Sequence, residues 1–131
     1  MGEDVIVRGT ITLGLGEAVK FTQIDWVQEQ CEEKFGFRPY PGTLNLRVRG
    51  EHLERWRRLR NAAGVLVVPP NAEFCNSKGF PVHIGSVRGA VIFPMVAGYP
   101  EDVIEIMAPV HLKETQGWSD GECVSVTFVG E

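Results

Sequence analysis

The sequence predicts a mainly β protein, a small barrel of six or seven short strands with one or two short helices. Three observations carry that reading. Short stretches rich in β-branched residues with alternating apolar positions recur along the whole chain. Glycine- and proline-rich turns separate them. Only two longer stretches show helical spacing, too few to cover an open sheet, so closure is the economical way to remove exposed edges.

The first strand is expected over Asp4 to Leu13, running into the turn Gly14-Leu15-Gly16-Glu17. Thr22 is placed to cap a helix through Phe35, with Ile24, Val27, Cys31 and Phe35 on one face and Gly36 as its stop. Pro39-Tyr40-Pro41-Gly42 is a rigid turn, and Thr43 to Val48 alternates with Leu44, Leu46 and Val48 toward a core. Glu51 to Arg60 reads as a short helix, Val65 to Val68 as a strand stopped by Pro69-Pro70, and Asn71 to Lys78 as a polar loop. Strands follow near Phe80 to Ile84, Gly89 to Phe93 and Val103 to Met107. Pro109 opens a short turn or helix to about Gln116, and Trp118 to Glu122 turns tightly into a last strand, Cys123 to Val129.

With 131 residues, 44% apolar and 23% charged, the chain fits a single domain, 1–131, with its own core. Net charge is −4, and the one basic cluster, Arg55, Arg57, Arg58 and Arg60, lies among Glu51 and Glu54 as a solvated helix face, which argues against a nucleic-acid partner. Cys31, Cys75 and Cys123 form no C-x-x-C pair; Cys31 on the helix stripe and Cys123 at a strand start read as buried thiols, a usage that fits a reducing cytoplasm. No apolar run reaches membrane-spanning length, and the acidic start lacks the basic region of a signal peptide, so no membrane association is expected. A monomer is compatible with the sequence, which does not set the oligomeric state.

Gly14-Leu15-Gly16-Glu17 has glycines that let backbone N–H groups converge on an anion, yet it has neither Walker nor Rossmann spacing. Taken alone it is equally a strand-to-helix turn. Thr43 and Asn45, two apart on a strand, present a hydroxyl and an amide carbonyl to the same side. Such neutral oxygens suit Mg²⁺, completed by phosphate oxygens and water, and are also what a solvated strand face carries. Glu105 in Val103-Ile104-Glu105-Ile106-Met107 is a lone acid in an apolar strand, either solvent-facing or the polar anchor of an apolar pocket. His52 is expected on a helix surface and His83 as a satisfied barrel histidine.

The ordered combination is more specific than its parts. The turn from Gly14 to Glu17, then Phe35-Gly36-Phe37-Arg38-Pro39-Tyr40-Pro41-Gly42-Thr43-Leu44-Asn45-Leu46, Gly89 to Pro94, Val103 to Pro109, Leu112-Lys113-Glu114 and Asp120-Gly121-Glu122 together resemble the archaeal-type CTP-dependent riboflavin kinases over nearly the whole chain. The resemblance implies a six-stranded cradle-loop barrel, related to riboflavin-synthase-like and AbrB-like barrels. It implies CTP and riboflavin as substrates, CDP and FMN as products and Mg²⁺ as cofactor. Gly14, Leu15, Gly16, Glu17, Ala18 and Val19 would wrap the nucleotide, bordered by Val110, His111, Leu112 and Lys113. Thr43 and Asn45 would hold the metal and Glu105 would contact the flavin.

Four positions depart from the family pattern. Ala18-Val19 stands where glycine and a basic residue are usual, Ala97 where a flavin-contacting Thr or Ser is expected, and His111 where Lys is common. No catalytic base is identified, with Glu105 the candidate. The competing readings are a family member that binds nucleotide or flavin without turnover, or with another alcohol as substrate, and a DNA-binding AbrB-like regulator, which the acidic charge disfavours.

Overall fold

Alternation of buried and exposed side chains sets the strands. In a computed structural model, which describes residues 3–14, 16–62 and 64–130, β1 (Val5–Thr12) buries Val7, Gly9 and Ile11 and exposes the residues between them. Its two antiparallel neighbours are β2 (Leu44–Arg47) and β7 (Cys123–Phe128). β2 continues to β6 (Val103–Met107), β6 to β5 (Val87–Pro94), and β5 to β4 (Ser77–Ile84). The second half of β4, Val82 to Ile84, pairs with β7 and closes a six-stranded antiparallel barrel. A short β3 (Val65–Val67) takes the same side of β4 one step earlier, opposite Ser77 to Gly79.

The barrel interior holds Val7, Ile11, Leu46, Val82, Ile104, Ile106 and Val126, the inward members of each alternation. α3 (Gly50–Asn61) seats Trp56 in that same cluster, its ring 5.7 Å from Phe80 and from Phe128 and 5.8 Å from Phe93. The Trp56 indole nitrogen is buried without a hydrogen-bond partner. Outside the barrel, α2 (Asp25–Phe35) lays Val27, Cys31 and Phe35 on Val67, Ala90, Ile92 and Met107, a second core on the outer face of the sheet. Gly79 makes this approach feasible, because a side chain there would run into the Phe35 ring. Gly36 ends α2 in the left-handed region (φ 83°), and its N–H returns to the carbonyls of Cys31 and Glu32.

The strands lie where the alternation places them, and the structure corrects several details. Four helices form, because Ala18–Thr22 makes a separate turn, α1, and Leu112–Gln116 makes α4. Thr22 does not cap α2. Its hydroxyl donates to the Ala18 carbonyl at 2.7 Å, inside α1, and Ile24 is the capping residue of α2 without a side-chain bond. The loop after Pro70 ends at Asn76, since β4 begins at Ser77. Cys31 is buried, whereas Cys123 is exposed on the outward phase of β7 and His83 on that of β4. His52 accepts from the Arg8 backbone N–H at 3.1 Å. Arg57 pairs with Glu54 and Glu101, and Arg55 with Glu51 at 3.4 Å, so much of the basic cluster is locally neutralised. Among the described residues, no helix is long and apolar enough to cross a membrane.

Candidate functional site

Where β1 leaves the barrel, the glycine turn swings over the start of β2 and encloses a cavity of about 390 Å³. Three sequence segments that the motifs single out converge there. Gly14, Gly16, Ala18 and Val19 form one wall, Tyr40 to Asn45 the floor, and Val110, His111, Leu112 and Lys113 the opposite wall. Leu15 lies outside the described residues, and Glu17 is not part of the lining. Gly16 takes φ 82°, which favours glycine, while Ala18 opens α1 with ordinary helical backbone, so a side chain at 18 is tolerated.

Hydrogen bonds, several of them part-buried, hold the walls together. Thr22, fully buried, accepts from the Gly42 N–H at 2.8 Å while its own proton stays in α1, which ties the glycine turn to the entry of β2. Gln28 donates to the Pro39 carbonyl at 2.8 Å, and the Tyr40 N–H donates to the Ala108 carbonyl at 2.7 Å. On the far wall His111 caps α4, its Nδ1 accepting from the Glu114 N–H at 3.2 Å, and its ring meets Tyr40 edge-on at 5.5 Å. Lys113 reaches Asp120 at 2.8 Å and, among the described lining residues, is the one fixed positive charge.

Thr43, the residue just before β2, and Asn45 within it lie at the cavity floor. Thr43 Oγ1 lies 3.2 Å from Asn45 Oδ1, and Asn45 Nδ2 donates to the Thr43 carbonyl at 3.2 Å, which turns the amide oxygen toward the hydroxyl. Gly14 packs directly on that amide, leaving no space for a Cβ. A hydroxyl and an amide oxygen side by side, facing open volume, are a donor set that fits a hard divalent cation with the remaining positions taken by phosphate and water. No cluster of three or more His, Cys, Asp or Glu suited to a metal occurs among the described residues.

Glu105 is the neighbour of Asn45 across the β2–β6 ladder and of Ile92 across β5–β6. It stands behind the cavity rather than in its lining, and Thr43 Oγ1 is 3.2 Å from its Oε1. Its other oxygen, Oε2, accepts from the Tyr99 hydroxyl. Burial, and then the Glu105 charge, push the Tyr99 phenol far above its usual range, so it stays a donor. Ala97 is exposed in the loop between β5 and β6, outside the cavity lining. Tyr99 belongs to the site yet carries no sequence signal of its own, and Thr22 and Tyr40, legible only as a cap and a turn residue, join it through their contacts with Gly42, Ala108 and His111.

Comparison with known proteins agrees with this arrangement. The family model CTP-dep_RFKase, described as "Domain of unknown function DUF120", matches residues 11–128. A riboflavin kinase of Archaeoglobus fulgidus is 34% identical over 126 residues, covering 94% of this chain and 54% of that protein. One of Methanocella arvoryzae is 38% identical over 123 residues, covering 94% and 56%. The chain thus spans about half the length of these curated relatives. A riboflavin kinase of Methanobrevibacter smithii is 33% identical over 123 residues, covering 93% of this chain and 98% of its own length. On a match running from the end of β1 to the end of β7, the chain belongs to the family of CTP-dependent riboflavin kinases.

Proposed function

We propose that this chain transfers the γ-phosphate of CTP to the ribityl 5′-hydroxyl of riboflavin, giving FMN and CDP. One observation carries the reading: the glycine turn, the Thr43/Asn45 pair and the 110–113 segment share a single cavity. Phosphoryl transfer through a loose transition state asks for positioning and charge neutralisation more than for covalent chemistry. Gly14 and Gly16 line the cavity, where backbone N–H groups of the glycine turn would meet the phosphates, and Lys113 would supply positive charge. Thr43 and Asn45 would hold Mg²⁺, which when bound would neutralise charge on the phosphates.

Preference for CTP follows if backbone groups along Val110 to Lys113 read a pyrimidine edge in a space a purine overfills. Glu105 and the loop from Met95 to Asp102 form the flavin side, where Ala97 offers no hydroxyl and Glu105 is the polar contact. A strong base is not required by a loose transition state, so Glu105 serves first as a binding group.

A second reading, nucleotide binding without turnover, draws on the absence of a basic residue at Ala18-Val19 and the engagement of Lys113 with Asp120. Purified protein incubated with riboflavin, Mg²⁺ and CTP, ATP, GTP or UTP in parallel, with FMN resolved by chromatography, decides between them. FMN formed mainly with CTP supports the kinase. Tight CTP binding with no FMN from any nucleotide supports the second reading.

A further inference from the structure

The β5–β6 connection returns to the site through one residue that no motif marks. Tyr99 is half-buried, its ring packed edge-on against Phe93 (5.7 Å, 83°), and its hydroxyl donates to Glu105 Oε2. Glu105 Oε1 in turn faces Thr43 Oγ1 at 3.2 Å, and the same hydroxyl lies 3.2 Å from Asn45 Oδ1. Thr43 has one proton and two oxygens in reach. The carboxylate is the stronger acceptor, so a well-placed Glu105 accepts the hydrogen bond and leaves Asn45 Oδ1 free. Glu105 is a long side chain with rotamer freedom, and something must hold it in register with Thr43.

Resting on the reading of Thr43 and Asn45 as a cation-binding pair, we infer that Tyr99 is a positioning residue for that pair. By holding Glu105 Oε2, it fixes the carboxylate whose other oxygen accepts the Thr43 hydrogen bond. Thr43 Oγ1 and Asn45 Oδ1 then both turn lone pairs toward a divalent cation. The Tyr99 hydroxyl touches neither the cation nor the phosphates in this arrangement and acts through Glu105.

Tyr99→Phe removes the hydroxyl and keeps the ring on Phe93. The probe is Mn²⁺ alone, titrated into ¹⁵N-labelled protein, read by paramagnetic broadening of the amides flanking Asn45. One lost charge-assisted hydrogen bond behind the pair should raise the Mn²⁺ concentration for half-broadening by about tenfold. The thermal midpoint should hold within about 3 °C, since the ring packing is retained. In the FMN assay the Mg²⁺ concentration for half-maximal rate should rise with it, by more than kcat falls at saturating Mg²⁺.

A Tyr99→Phe titration superimposable on wild type overturns the inference, as does lost stability with unchanged Mn²⁺ binding. Wild-type protein that shows no localised broadening near Asn45 overturns it as well. If the Mn²⁺ shift is seen and no nucleotide yields FMN, the positioning role stands and the kinase reading falls. If FMN forms with CTP and the shift is missing, the reverse holds.

Discussion

Gly14→Ala should damage the metal-dependent step while sparing the fold. Gly14 lies outside the left-handed region, so alanine fits its backbone and the effect is steric. A Cβ there would sit 3.1 Å from Asn45 Cγ and 3.3 Å from Oδ1, and would overlap Nδ2, where ordinary contact begins at 3.4 Å. The amide must therefore swing away by about 1 Å. Swinging loses its bond to the Thr43 carbonyl, about 1 kcal/mol, and leaves the side chain off its rotamer, about 1 kcal/mol more. Together, about 2 kcal/mol corresponds to roughly a 30-fold fall in Mg²⁺-dependent turnover. Global stability should fall by about 1 to 1.5 kcal/mol, because alanine's restriction of the unfolded chain offsets only part of that loss.

The assay is the Mg²⁺ dependence of CTP-driven FMN formation, run beside a thermal melt. A shorter side chain should make room, so in an Asn45→Ser background Gly14→Ala should cost less than about threefold. Wild-type Mg²⁺ dependence in Gly14→Ala, or an undiminished penalty in the serine background, would refute the steric account.

Further outcomes follow from other contacts. The double change Thr43→Ala, Asn45→Ala should abolish Mg²⁺-dependent transfer and leave the circular dichroism spectrum intact; surviving turnover would show that the cation lies elsewhere. Gly79→Ala would force a Cβ to within 3.0 Å of Phe35 Cε2 and 3.1 Å of Cε1 in the outer core. Overpacking of that kind costs about 2 kcal/mol, or roughly 7 °C in the melt, and Phe35→Leu in the same chain should recover part of it. Burial pushes the Cys31 thiol up to about 11 from 9.0. Above pH 9 the unfolded chain gives up this proton while the folded one keeps it, so the contribution of Cys31 is present below pH 9 and lost between pH 9 and 11. Denaturant titrations across that window should show stability falling, with a shallower fall in Cys31→Val.

What could be read from the sequence was whatever repeats at short range. Alternation located the barrel strands within a residue or two, save that β4 and β5 run longer at their ends, and Gly36 marked the end of α2 by its need for a left-handed conformation. Thr43 and Asn45 were legible because a strand puts residues two apart on one face. Thr22 misled because a threonine before an apolar stripe signals a cap, while here its hydroxyl is spent on α1 and on Gly42. Cys123 misled because a strand start does not say which phase faces inward. Tyr99 was invisible because it sits in the irregular loop before β6, where no periodicity relates it to Glu105. The step of β3 and β7 along one side of β4 likewise depends on closure and has no local trace.

Closure also sets an order of events. The strand that seals the barrel is β7, and Val5 stands opposite Phe128, so the longer of the two β1 ladders waits for the last strand of the barrel to be made. Contacts spanning that much sequence slow folding, because the whole intervening chain must be confined before the pairing repays it. Until then β1 and the second half of β4 are unpaired edges during synthesis, the state in which neighbouring nascent chains most readily stick together. The Thr43–Glu105 contact needs β2 and β6 side by side, and the cavity beside it also needs the wall from Val110 to Lys113, so the cavity matures late, on a barrel that is nearly complete.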